Sequence, residues 1–267
     1  MWQNLARLFR YRGLIQSLVS RELKARYRGS FLGFFWSFVN PLLLLGVYSF
    51  VFATIMKGDP NDVTRPNPYA LFMFCGILPW TWFSASLLEG ASSLIAGGNL
   101  IKKVLFPAEV LPIVAVLSNM VHFFLGLPIL ALFMFRYGHL PLVENLIWFP
   151  VIVVVQLIFT LGCVLLLSSL TVHFRDLKDL LANMLTLWFF ATPIIYSYLD
   201  KNVEAYKAIF NPNPFFHIVV SYQESLFFRG AFGHGLWLLV LGGLSILFFL
   251  AAYWLFDRLR DSFAEVV

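Results

Sequence analysis

Six long apolar stretches divide the chain, at about 31–56, 69–91, 109–135, 146–172, 180–197 and 236–256. Each is close to or above the roughly 18–20 residues with which a helix crosses a ~30 Å hydrocarbon core. Polar segments rich in Gly, Pro, Asn and charge lie between them, such as KGDPNDVTRPNP at 57–68 and HFRDLKD at 173–179. The pattern predicts an all-α integral membrane protein with six spans. Asn40-Pro41 is expected to kink the first span, and Pro79 to interrupt the second between Leu78 and Trp80.

Three segments are too short or too polar to span. In residues 1–30, Tyr11, Ile15, Leu18 and Val19 form an apolar strip opposite Ser17, Ser20, Arg21, Lys24 and Arg28, as in a helix lying in the membrane interface. Such a strip fits a surface anchor and a gating or substrate-contact element equally well. Glu22 and Arg26 stand at i, i+4 in the favourable order for a helical pair, and Gly29 and Gly33 bracket the bend into the first span. At 92–107, Gly97-Gly98-Asn99 makes a turn and Leu100 to Phe106 a short helix, either a connector or a handle for a cytoplasmic partner. At 198–235, Asn213-Pro214 starts a helix over 215–228 that is too short to cross, so a re-entrant or interfacial hairpin at the external face is expected.

Charge placement orients these elements. Arg7, Arg10, Arg12, Arg21, Lys24, Arg26 and Arg28 precede the first span, Lys102 and Lys103 follow the second, Arg175 and Lys178 follow the fourth, and Arg258 and Arg260 follow the last. Cationic residues near span ends are retained on the cytoplasmic side, so both termini are expected there. No cleavable leader is expected, because the first apolar run lies behind about 30 Arg-rich residues. The net charge of +5 is small and sits beside spans, which leaves no case for nucleic-acid binding. Only 12% of residues are charged, against about 25% in soluble domains. Aromatics reach 18%, and 30 of them are Phe. Interfacial girdles use Trp and Tyr, so part of this Phe excess is free for another task. Phe31, Phe34, Phe35 and Phe38 fall at i, i+3, i+4 and i+7 and would make one face of the first span aromatic.

Catalytic patterns are missing from the sequence. His173 and Asp176 sit in a charged turn, and a solvated turn explains them. Neither a Cys/His cluster with metal spacing nor a Gly-rich phosphate cradle occurs. Cys75 and Cys163, each inside an apolar run, are expected to be free and buried thiols. Asn119 and His122, one turn apart in the third span, are expected to hydrogen-bond neighbouring helices. Glu89, Glu109 and Glu144 lie near span ends rather than at mid-bilayer, which argues against an ion-coupled carrier. A membrane-embedded transferase would need a polar catalytic centre that the pattern does not provide.

Four pieces together identify a family. RELKARYRGSFLGFFWSFVNPLL at 21–43, GGNLIKKVLFPAEVLP at 97–112, HFRDLKD, and NPNPFFHIVVSYQESLFFRG at 211–230 resemble the type-2 ABC transporter permeases. The likeness is closest to the branch that exports lipid-linked polysaccharide (O-antigen, capsule or teichoic acid). It implies a cytoplasmic interfacial gate helix at 1–30 and a six-helix permease domain at 31–267, with a re-entrant external hairpin before the last span. The chain would be the non-enzymatic subunit of an exporter in the bacterial inner (cell) membrane. It would pair with itself as a homodimer and with two copies of an ATPase subunit, which would hold ATP and Mg²⁺; this chain would hold no cofactor and no metal. A type-2 permease for a smaller drug or lipid is the alternative.

The likeness also assigns roles to residues. Arg21, Lys24, Arg26 and Arg28 would contact the lipid pyrophosphate. Leu100, Ile101, Lys102, Lys103, Val104 and Leu105 would seat in the ATPase. Phe31, Phe34, Phe35, Phe38, Trp188, Phe189 and Tyr196 would line the substrate pathway. Sugar ring faces stack on aromatic rings, and many weak sites in series let a polymer move on.

Overall fold

The computed structural model describes residues 11–51, 66, 68–102, 106–174, 176–200 and 206–266. All regular structure among the described residues is helical. In order come α1 (Arg12–Arg26), a 3₁₀ turn (Gly33–Phe35), α2 (Trp36–Phe50), α3 (Tyr69–Ala96), α4 (Gly98–Ile101) and α5 (Val110–Arg136). Then follow α6 (Val143–Leu146), α7 (Phe149–His173), α8 (Leu177–Phe190), α9 (Lys207–Phe210), α10 (Pro214–Leu226) and α11 (Gly235–Val266). Four helical stretches are long and apolar enough to cross a membrane: Tyr69–Ala96, Val110–Arg136, Val143–His173 and Gly235–Asp261.

The bundle is built around α3. Its apolar window is 78% buried, whereas that of α11 is 22% buried, so α3 is sheathed by protein and α11 leaves most of its surface bare. Apolar burial gains little between helices in lipid, and close approach of small residues replaces it. A Cβ on Gly90 of α3 would meet Val164 of α7 at 2.2 Å, and one on Gly126 of α5 would meet Leu78 of α3 at 2.6 Å. Cys75 and Cys163 are free and buried in this core. Pro79 does not interrupt α3, contrary to the expectation from sequence: its missing N–H costs one helix bond, at the Cys75 carbonyl, and the helix, packed by protein all round there, runs through, with Gln156 of α7 donating to the Pro79 carbonyl at 2.8 Å.

Three other expected boundaries move. The helix expected from 31 begins at Trp36, because Gly33 at φ +51 turns the chain into a 3₁₀ turn first; Gly29, at φ +77, makes the bend as expected. The last helix continues past 256 to Val266, and its extension adds Phe263 to Tyr253 and Phe256 in a cluster with Leu94, Ala108, Leu165 and Val172.

The third change is the largest. The helix expected over 180–197 runs over Leu177–Phe190 and stops halfway up the bundle. Trp188 packs on Phe83, near the midpoint of α3, at 5.3 Å. Residues 191–200 continue without a helix: Ile194 reaches Gly76, and the Tyr69 hydroxyl donates to the Ile195 carbonyl at the start of α3. The segment read as external then comes back down. Phe215, the second residue of α10, stacks on Phe83 at 4.4 Å, while Phe227, just past the end of α10, packs on Phe72. So α10 climbs from mid-bundle, and every residue from Phe215 to Leu226 is buried. Asn213 is its N-cap and Pro214 its first residue, as the sequence predicts.

Candidate functional site

At one end of the bundle the strip on α1 packs on α5. Leu18 is buried with Val110 and Val114, flanked by Tyr11, Ile15 and Val19. This leaves Arg21, Lys24 and Arg28 exposed. Arg26 is engaged otherwise. Local spacing pairs it with Glu22; the structure pairs it with Glu89 of α3, Nη2 to Oε2 at 2.6 Å. Its Nη1 donates to Asn119 Oδ1 at 3.2 Å, and Asn119 Nδ2 donates to the same Glu89 oxygen at 2.7 Å. Three groups from α1, α3 and α5 thus close a triangle, and Asn119 bonds its neighbours as expected. Beside it, Ser37 of α2 donates to the Tyr27 hydroxyl at 2.8 Å, which lies 3.4 Å from His122 Nδ1.

A cavity of about 480 Å³ opens above this triangle, between the end of α1 and helices α2, α3 and α5. Tyr27, Trp36, Asn40, Thr81, Trp82 and His122 give it mixed aromatic and polar walls. Phe34 pairs edge-on with Tyr27 at 6.1 Å and with Phe38 at 6.0 Å, so these two rings share a face. Phe31 and Phe35 stand exposed, Phe31 on the bend before the helical register begins. Trp188 and Phe189 are partly buried against α3, Phe189 lying 5.7 Å from Trp80. Tyr196 donates to the Phe190 carbonyl at 3.1 Å and packs on Phe210.

The segment after α3 splits by exposure. Within the short α4, Leu100 lines a groove shared with Leu18 of α1, and Ile101 packs inward on the cluster around Tyr253 and Phe256. Asn99 and Lys102 face outward. Lys103, Val104 and Leu105 lie outside the described residues. Nearby, Glu109 is buried and pairs with Arg260 of α11 at 3.8 Å, while Arg258 lies over Trp254.

The opposite end is closed by α10 and the non-helical return over 227–234. Glu224 accepts from the Tyr198 hydroxyl (2.7 Å) and from the backbone N–H groups of Gly233 (2.8 Å) and His234 (2.9 Å), and its other neighbour is His234 Nδ1 at 3.2 Å. Asn145 of α6 donates to the carbonyls of Glu224 and Gly230, and Ser225 donates to the carbonyl of Asn145. Gln223 donates to the Pro193 carbonyl at 2.7 Å, satisfying a backbone group freed where α8 ends. Sequence reasoning missed the roles of Glu89, Tyr27 and Gln223. The available signal was that a carboxylate or amide inside an apolar run needs a partner.

Exposed apolar side chains stand at helical spacing on α8, at Leu180, Met184, Leu187 and Phe190. On α2 they spread further, over Leu42, Leu43, Leu44, Val47 and Phe50, and α11 exposes Leu236, Leu239, Val240, Leu244 and Leu247 as well.

Comparison with known proteins agrees over the full length. The profile of the ABC-2 type transporter family matches residues 13–227. A Myxococcus xanthus protein named O-antigen export system permease protein RfbA is 41% identical over 261 residues, 97% of this chain and 97% of its own length. A Klebsiella pneumoniae protein of the same name is 33% identical over 267 residues, 100% of this chain and 98% of its own length.

Proposed function

The chain belongs to the ABC-2 type transporter family, and from that premise we propose that it is the permease subunit of an ABC exporter of O-antigen polysaccharide. It is a multi-pass membrane protein. The observation that carries the reading is the 41% identity to an O-antigen export permease, which extends over 97% of both chains and so includes the cytoplasmic loops and the hairpin. Energy comes from ATP and Mg²⁺ on a separate ATPase subunit, seated against the outward side of α4.

In this reading six crossings are made by α2, α3, α5, the α6–α7 stretch, α8 with residues 191–200, and α11. The positive-inside bias puts both termini in the cytoplasm of a bacterial inner membrane. Helix α1 lies in the interface as a gate helix, and α10 is a re-entrant element capping the external end. Non-helical backbone at mid-membrane is tolerated where protein covers it or water reaches it, and the carbonyl of Pro193 is served in that way by Gln223. The exposed apolar side chains of α2 and α8 are what a second copy would cover, and two ATPase subunits would match the two permeases. Lipid-linked polymer enters from the cytoplasmic side, its pyrophosphate met by Arg21, Lys24 and Arg28. Arg26 acts differently from the other three, since it holds α1 to α3 and α5. Phe31, Phe34, Phe35 and Phe38, with Trp188, Phe189 and Tyr196, line the passage across the dimer axis.

The rings give the test. Replacing Phe31 and Phe35 together by Leu keeps apolar area nearly constant and removes two exposed stacking faces, so protein level stays near wild type. A stacked aromatic contact is worth about 1 kcal/mol, so export of long chains should fall roughly three- to tenfold. Short chains, which occupy fewer rings at once, should be less affected. Equal export of every chain length by this variant would sink the polymer pathway along α2.

A further inference from the structure

We infer that Asn213 is a positioning residue that ties the cytoplasmic half of the fifth crossing to the external hairpin, so that α8 and α10 move as one piece. Its importance for export rests on the proposed passage of polymer along α8; the tie itself does not.

The argument starts from two helix ends meeting at mid-bundle. Helix α8 stops at Phe190 with its own last carbonyls taken by Ala191, Thr192 and Tyr196, which leaves the Ala191 carbonyl just past its end, and α10 starts at Pro214 with the Phe215 N–H to be capped. One side chain serves both ends. Asn213 Oδ1 accepts from the Phe215 N–H at 3.0 Å and from the Trp188 indole N–H at 2.7 Å. Its Nδ2 donates to the Ala191 carbonyl at 3.1 Å and to Thr192 Oγ1 at 3.2 Å. An amide offers two donors and two acceptor lone pairs, and all four are used here. An N-cap alone needs only the oxygen. The two amide donors, which Asp and Ser cannot both supply, are directed at the end of α8. That half of the arrangement is what capping leaves unexplained.

The surroundings leave the joined ends room to travel together. A cavity of about 360 Å³ lies beside them, walled by Leu187, Trp188, Ala191, Phe210 and Pro214 as well as Asn213. On its open side stands the bare stripe ending at Leu187 and Phe190. Thr192 donates in turn to the Trp188 carbonyl at 2.8 Å, so the indole ring, the end of α8 and the start of α10 form one bonded unit. Any displacement of α8 from its cytoplasmic base is therefore carried into α10, and through Glu224 into the 227–234 return.

Two variants of the full-length chain separate the tie from the cap. Asn213→Asp keeps an oxygen for Phe215 and Trp188, but removes both donors and sets a negative charge against the Ala191 carbonyl. Asn213→Ala removes all four bonds. The permease would be held with its ATPase in lipid nanodiscs, with amide exchange followed by mass spectrometry, the Trp188 indole N–H by NMR, and surface O-antigen measured in cells. In Asn213→Asp, exchange over 191–194 should rise about tenfold while Phe215 and the indole stay protected; in Asn213→Ala both regions should rise. Export should fall several-fold in each at unchanged protein level. If Asn213→Asp leaves exchange over 191–194 at the wild-type rate, Asn213 is an N-cap only and the inference is overturned. Raised exchange with normal export supports the tie and removes the passage along α8. Should both variants fail to accumulate, Thr192→Ser, which keeps both hydroxyl bonds, and Thr192→Val, which loses the bond from Asn213 and the one to the Trp188 carbonyl, are compared over 191–194: equal exchange in the two overturns the tie.

Discussion

Placing Glu at both Asn99 and Lys102 is expected to cut export at least tenfold while the spans stay folded and the ATPase keeps hydrolysing ATP. These two side chains are the outward-facing part of the turn that follows α3. Like-charge contacts and charge reversals at a protein interface cost several kcal/mol, ample for about a tenfold loss. The substitutions touch no buried group, so the amount of protein in the membrane should not change. Ile101→Asp gives the contrast. Ile101 packs on the cluster that contains Leu94, Val172, Tyr253 and Phe256. A charge there is buried without a partner, and the protein itself should be lost. Normal export by the Asn99/Lys102 double variant would remove this turn as the ATPase contact. The reason a few residues can matter so much lies in what they join: α4 follows directly on α3, the helix on which α5, α7 and α10 pack.

Glu89→Ala should release α1. It leaves the Arg26 guanidinium with Asn119 alone and deprives Asn119 of an acceptor. The pair is 27% and 40% exposed, so its direct worth is on the order of 1 kcal/mol rather than the several that a dry pair would cost to break. A double-mutant cycle of Arg26→Ala and Glu89→Ala should return a coupling of about that size. The effect on export should be larger than this figure suggests, at least severalfold, because α1 would lose its registration with α3 and α5. Amide exchange over residues 12–26 should quicken in both single variants and no further in the double. Unchanged exchange in α1 would show that its apolar strip on Val110 and Val114 suffices to hold it.

Much of this architecture can be read from the chain directly. Helices α3, α5, α7 and α11 announce themselves because each carries an unbroken apolar run of spanning length, a signal that needs no partner to interpret. Gly29 and Gly33, and the Asn213-Pro214 helix start, are equally local: the backbone angle or missing N–H is a property of the residue itself. The helix expected over 180–197, which breaks at Phe190, is different. Residues 180–197 are as apolar as a true span; Pro193 disfavours further helix, but the amides that satisfy the non-helical carbonyls of Ala191 and Pro193 lie far along the sequence, at Asn213 and Gln223. Periodicity cannot see them. The same holds for Arg26, whose neighbour by spacing is Glu22 and whose partner in space is Glu89. The site was therefore legible in its composition, cations before a Phe-rich segment, and illegible in which cation is structural.

The central claim is that this chain conducts a lipid-linked polymer under the drive of a partner ATPase. The most direct measurement reconstitutes the chain with its ATPase in vesicles loaded on one face with lipid-linked O-antigen, and follows exposure of the sugar on the other face with a membrane-impermeant glycosidase. The expected result is transfer that requires ATP and both subunits, with sugar chains becoming accessible along their length. ATP-dependent movement of short lipids with the polymer left inaccessible would contradict the account.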